Sequence, residues 1–263
     1  MGKSKIDQSF QEKQAANEKL FVPYIMAGDG GLDRLEERIQ FLQECGVAAI
    51  ELGIPFSDPV ADGPTIQEAG IRALENGTTL MSILKKLQDF KENRSVPIIL
   101  MTYLNPIVAY GTEKFAVDCR ESGVDGVIIP DLPLEEESIL AGHLQENSIA
   151  FIRLAAMTSP KERLVELAKR SEGFLYAVSV TGTTGARTVH DAMVEDYLQM
   201  LKEHSSVPVL AGFGVSDIQQ ARDLSSYCDG VIVGSKIVDL LHKGKTDEIK
   251  DLIHGSLKLE INH

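Results

Sequence analysis

A (β/α)8 TIM barrel with an extra helix at its amino end is the fold class that this sequence predicts, and three observations predict it. Eight short apolar runs recur along the chain: FVPYIM from Phe21, VAAIEL from Val47, VPIILM from Val96, VDGVIIP from Val124, IAFIRL from Ile149, GFLYAVSV from Gly173, VPVLAGFG from Val207 and DGVIVGS from Asp229. Many are rich in valine and isoleucine, as parallel strands covered on both faces are. Amphipathic segments separate them, the alternation expected of β/α units. Finally, 263 residues suit one barrel, so residues 1–263 are read as a single (β/α)8 domain.

In chain order, a first helix between Ser4 and Lys19 precedes the barrel and caps its bottom. LDRLEERIQFLQECG then places Leu35, Ile39 and Leu42 on one helical face and stops at Gly46. SPKERLVELAKRSEG opens on a Ser–Pro start signal at Ser159 and Pro160 and ends at Gly173. VSDIQQARDLSSYCDG offers Ser216 as an N-cap. The phrases CGVAAIELG, SGVDGVIIPD and YCDGVIVGS each read as helix end, small residues, then strand, the turn chemistry of α/β units rather than a solenoid repeat.

Composition narrows the function. A net charge of −13 argues against nucleic acid or an anionic membrane as a partner, since both need a basic patch. Any phosphate site must be built locally from backbone N–H groups and helix ends. Cys45, Cys119 and Cys228 form no CxxC pair, which points to buried thiols in a reducing cytoplasm. No apolar run is long enough to span a bilayer and the amino end does not read as a signal peptide. The six histidines, His143, His190, His204, His242, His254 and His263, form no metal pattern. A Schiff base is unsupported because no apolar run contains a lysine; the fifth carries Arg153, and Lys236 after the eighth reads as a helix start.

In such barrels chemistry sits where the strands end. Alternation puts Val47, Ala49 and Glu51 on one face and Ile50 and Leu52 on the other. The bulkier face meets the helices, so Glu51 points into the barrel at its mouth. The loop after it, in ELGIPFSDPVADGP, holds Asp58 before Pro59 and Asp62 before Gly63, both turn signals in their own right. Asp62 gains weight because its loop overhangs Glu51. A second cluster is glycine-rich: GTTGAR from Gly182, AGFG ending at Gly214 and VGS ending at Ser235 follow three successive strands. Glycines let N–H groups approach an anion, and Ser235 would open a helix whose dipole favours one. TGTTGARTVHDAM, from Thr181, is small and polar enough to serve as a lid.

Along nearly its whole length the chain resembles the tryptophan synthase alpha subunit. The motifs that carry the resemblance are FVPYIMAGD, ELGIPFSDPVADGPTIQ, IIPDLP, TGTTG, AGFGVS and VGSKIV, the second being the most specific. The resemblance implies a lyase that cleaves indole-3-glycerol phosphate to indole and glyceraldehyde 3-phosphate. It implies Glu51 and Asp62 as catalytic residues, and Tyr176 and Phe213 as substrate contacts. Gly185, Gly214, Gly234 and Ser235 fall on its phosphate-binding positions. It further implies a beta subunit that carries pyridoxal phosphate and receives indole through a tunnel, in a complex of two alpha and two beta subunits, while the alpha subunit needs no cofactor. The chain departs at Val180, where some relatives carry Arg, at Thr183, where Val is frequent, and at Gly30, where Pro is usual. Two alternatives stay open: another barrel enzyme acting on a phosphorylated sugar, or a weakly catalytic channelling partner of the beta subunit.

Overall fold

The computed structural model describes residues 2–178, 187–212 and 214–257, with side chains from residue 192 in the second stretch. Eight parallel strands close into a barrel in sequence order: β1 (Leu20–Met26), β2 (Ile50–Gly53), β3 (Ile98–Met101), β4 (Gly126–Ile128), β5 (Ala150–Ala156), β6 (Leu175–Val178), β7 (Val209–Gly212) and β8 (Gly230–Val233), with β8 pairing back onto β1. The helices are α1 (Lys3–Ala15), α2 (Leu35–Glu44), α3 (Pro64–Glu75), α4 (Leu80–Asp89), α5 (Leu104–Tyr110), α6 (Thr112–Glu121), α7 (Ala141–Glu146), α8 (Lys161–Arg170), α9 (Arg187–His204), α10 (Ile218–Tyr227), α11 (Ser235–His242) and α12 (Thr246–Leu257).

Alternation along the strands sorts the core into layers. Val22, Ala49, Ile99, Ile128, Ile152, Leu210 and Ile232 fill the barrel interior. Ile50, Leu52, Ile98, Leu100, Val127 and Val231 face outward onto the helices. The expected helical face of α2 is buried through Leu35, Ile39 and Leu42, and Gly46 follows at φ +77°, a left-handed conformation that suits a residue without Cβ.

Three expectations shift. Val47 packs with the outer core, not the interior, because β2 begins only at Ile50 and the chain is still turning into the sheet. The cap of α10 is Asp217, whose carboxylate accepts from the Gln220 N–H at 2.9 Å. Ser216 instead donates both its N–H and its hydroxyl to Gln220 Oε1. Helix α8 starts at Lys161 with Pro160 at the cap and no side-chain cap bond, and it ends at Arg170, before Gly173.

The first helix closes the lower end of the barrel. Ile6 and Phe10 are fully buried in the interior cluster, and the Phe10 ring lies 6.0 Å from that of Phe174. Gly126 and Gly173 make room for Ile6: a Cβ at either would lie 3.2 or 3.3 Å from Ile6 Cδ1. Asp125 ties the helix down, its carboxylate accepting from the Gly2 N–H at 2.9 Å and the Ile98 N–H at 3.0 Å, with Lys5 Nζ at 3.7 Å. Replacing Ile6 by Ala should leave a void under the barrel and cost about 2–4 kcal/mol. Urea denaturation checks this, as a lower midpoint at unchanged m-value.

Candidate functional site

Glu51 sits between Ile50 and Leu52, both fully buried among the outer helices, and so projects inward from β2. Its Cα is in register with Tyr24 of β1 and Ile99 of β3. It is 0% exposed, and neither carboxylate oxygen meets a hydrogen-bond partner among the described residues. A buried charge without compensation is unfavourable, so the proton is retained. Burial, reinforced by the nearby charge of Asp62, pushes the Glu51 pKa up to about 8.

Asp62 comes from the β2–α3 loop. Two tight turns shape it, with the Val60 N–H donating to Asp58 O and the Asp62 N–H to Pro59 O. Gly63 and Pro64 then open α3, and Gln67 Nε2 donates to Asp62 O at 2.8 Å. Asp62 is half-buried, and burial raises its pKa to about 6 against the opposing effect of the Tyr103 hydroxyl. Asp58 is exposed and accepts from Ser57 Oγ, so it shapes the loop rather than entering the mouth.

Three tyrosines surround this pair. Burial raises the pKa of Tyr24, Tyr103 and Tyr176, as do the charges of Asp62 and Glu51 for Tyr24 and Tyr176 and that of Asp62 for Tyr103. The rings of Tyr24 and Tyr176 lean across neighbouring strands where only glycine fits. A Cβ on Gly53 would lie 1.9 Å from Tyr24 Oη, and one on Gly212 2.4 Å from Tyr176 Cε1. Sequence reasoning reached Tyr176 through the resemblance and missed Tyr24 and Tyr103. Tyr24 was within reach of the same alternation that singled out Glu51, because it shares a strand face with Val22. Tyr103 lies beyond β3, where alternation no longer applies.

At the ends of β7 and β8, Gly214 takes φ +69°, and Gly234 precedes the exposed Ser235 that begins α11. A Cβ on Gly214 would meet nothing within 4 Å among the described residues. Lys236 lies in the first turn of α11, as expected. Phe213, Gly185, Val180, Thr183 and the TGTTG stretch lie outside the described residues. Gly30 takes φ +76°, which proline cannot adopt, so the β1–α2 loop follows a glycine-dependent path at this departure. Asp29, next to it, is clamped by Arg72 of α3 through two bonds of 2.7 and 2.9 Å. Among the described residues no group of three or more His, Cys, Asp or Glu could hold a metal, and no helix is long and apolar enough to cross a membrane. Two clefts, of about 200 Å3 between α4 and α6 and about 140 Å3 beside β5 and α8, lie on the outer wall and contain neither carboxylate.

A closed parallel barrel with a buried inward carboxyl group at its mouth and a second on the loop that follows is an arrangement suited to acid–base chemistry. Residues 10–260 match the family model described as "Tryptophan synthase alpha chain". The chain is 60% identical to the tryptophan synthase alpha chain of Oceanobacillus iheyensis over 98% of both chains, and 48% identical to that of Bacillus cereus over 99% of both. Among solved structures, it superposes on the tryptophan synthase alpha subunit of Legionella pneumophila with a TM-score of 0.87 at 31% identity, covering 97% of each chain. A chain from a tryptophan synthase crystal structure of M. tuberculosis gives 0.85 at 31%, covering 95% of this chain and 96% of that one. The chain therefore belongs to the tryptophan synthase alpha chain family.

The raised Glu51 pKa has a thermodynamic sign. Folding lifts it from about 4.5 to about 8, so the stability associated with the protonated group is complete below pH 4.5 and is lost as pH rises toward 8. Glu51→Gln removes this loss. At pH 7 the variant should gain on the order of 2–3 kcal/mol over the native chain relative to their difference at pH 4.5. Thermal melts of both proteins across that range check it.

Proposed function

We propose that this chain cleaves indole-3-glycerol phosphate to indole and glyceraldehyde 3-phosphate, as one barrel domain of a cytoplasmic complex of two alpha and two beta subunits. Indole then passes to the beta subunit, whose own cofactor is pyridoxal phosphate. Family membership supports the reaction and the partnership. Three buried free thiols suit a reducing compartment. The single observation that carries the chemistry is the contrast between the two carboxyl groups: Glu51 is fully buried with no partner for either oxygen among the described residues, while Asp62 is half-exposed on the loop after the same strand, and burial accordingly lifts the pKa of Glu51 further, to about 8 against about 6.

Near pH 7 that separation gives one neutral acid and one anion, and the reaction needs both. Glu51 gives its proton to C3 of the indole ring as the bond to the glycerol side chain breaks. The carboxylate left behind takes the proton of the neighbouring hydroxyl, which becomes the aldehyde carbonyl. Glu51 ends as it began. While C3 is protonated, positive charge spreads to the ring N–H, and the Asp62 carboxylate accepts from that N–H. In a site closed to water such a fixed anion acts with little screening. Tyr176 lies beside the substrate in this reading, and Phe213 is an apolar substrate contact between the phosphate-binding positions. Gly185, Gly214, Gly234 and Ser235 hold the phosphate through backbone N–H groups, helped by the amino end of α11. Phosphate binding positions the reacting bond without taking part in its cleavage.

The test is indole release from indole-3-glycerol phosphate, by the chain alone and with a beta subunit. Release that rises strongly with the partner supports the proposal; no release in either case, from folded protein, refutes it. Turnover should follow a bell in pH, falling below about 6 as Asp62 gains a proton and above about 8 as Glu51 loses one. Glu51→Gln should lower kcat by at least about 100-fold while substrate still binds. Asp62→Asn should reduce kcat more than it raises KM.

A further inference from the structure

Tyr103 stands just after β3, 3% exposed, at the cap of α5, and grips the β2–α3 loop at two places. Its ring packs on Phe56, centroids 5.4 Å apart at 33°, where the loop begins. Its hydroxyl accepts from the Ala61 N–H at 3.0 Å, where the loop ends. Between these points the chain is loose in its contacts: Ser57 and Asp58 are exposed and Val60 is 82% exposed. A tyrosine hydroxyl has one proton to give. With the Ala61 N–H on one lone pair, that proton is left to give to the carboxyl of the next residue, Asp62.

We propose that Tyr103 is a positioning residue for the cleavage reaction, one that fixes the Asp62 loop through the Ala61 N–H and keeps Asp62 an anion by donating its hydroxyl proton to it. The inference rests on the role given to Asp62 above. A hydrogen bond to the charged form favours that form, and here it opposes burial. The other groups facing Asp62 carry no charge near neutral pH. Glu51 of β2 is a second acid, and Tyr24 of β1 and Tyr176 of β6 are neutral phenols. Asp131, beyond β4, accepts from the Leu104 N–H at 2.9 Å and faces Tyr103, helping to hold its proton on. No described cation has a part in the balance at Asp62, so the hydroxyl of Tyr103 is what offsets its burial.

Tyr103→Phe keeps the ring on Phe56 and removes only the hydroxyl. In the full complex its kcat for indole release should fall by on the order of tenfold at pH 6, with KM within about twofold, and the deficit should close toward pH 8. A loss equal at every pH means a merely structural role and overturns the proposal. A carboxyl carbon titration of Asp62, its signal assigned by its loss in Asp62→Asn, gives a readout without turnover. The midpoint should rise in Tyr103→Phe, and an unchanged midpoint overturns the proposal. Phe56→Leu loosens the ring and spares the hydroxyl, so it should leave the midpoint in place; an equal rise there assigns the effect to packing and also overturns it. The native protein supplies a check that needs no variant: the Ala61 N–H should resist hydrogen exchange, and exchange at the rate of an open loop overturns the proposal. If the native complex releases no indole, the reading of the reaction fails, while the carboxyl titration still judges Tyr103.

Discussion

Glu51 is a carboxyl group held where its charged form is unwelcome, and the upper half of the barrel is arranged around that constraint. Strand alternation alone puts the side chain inside, flanked by Tyr24 and Ile99 in register. With no cation beside it and no donor to its oxygens among the described residues, it keeps its proton. The charge of Asp62 adds to this, so the acid with the shallower burial ionises first and holds the deeper one neutral. Two residues of similar intrinsic acidity thus take different states from differences in depth and in the single hydroxyl of Tyr103.

Such a site lowers the stability of the fold near neutral pH, and the opposing contributions come from elsewhere. The lower end of the barrel carries the better-satisfied chemistry. Asp125 is nearly as buried as Glu51, at 1% against 0% exposure, yet it receives two backbone N–H groups and faces Lys5. Arg94 likewise bonds the carbonyls of Leu87, Ser122 and Gly123. Apart from Arg94 Nε, those polar atoms are paired. At the mouth, the Arg72–Asp29 clamp ties α3 to the β1–α2 loop, and so steadies the helix that begins one residue after Gly63. Rigid support and unsatisfied acid are therefore separated by only a few residues of loop.

Much of this was legible in the sequence because it follows from periodicity. The eight runs became the eight strands, the first helix reached the bottom, and the parity of Ile50, Glu51 and Leu52 gave the direction of the acid. What stayed hidden depends on neighbours distant in the chain. The pairing of Tyr103 with Ala61 spans β3 and the β2–α3 loop, and no local pattern announces it. The shift from Ser216 to Asp217 as cap turned on where Gln220 sends its side chain. Val47 failed because alternation was extended to three residues before the strand had begun. Gly30 reads from sequence as a departure from proline; only its φ of +76° tells that the loop has taken another path.

The plug formed by Ile6 and Phe10 also governs traffic. Above that plug the barrel interior is filled by side chains, so whatever is consumed and whatever is made must use the same neck. A small apolar product released beside Glu51 has no way down through the interior. Its departure and the arrival of the next reactant compete for one opening, unless a docked neighbour turns the neck into a corridor. The packed interior, continued downward by the first helix, therefore sets the direction in which the product leaves.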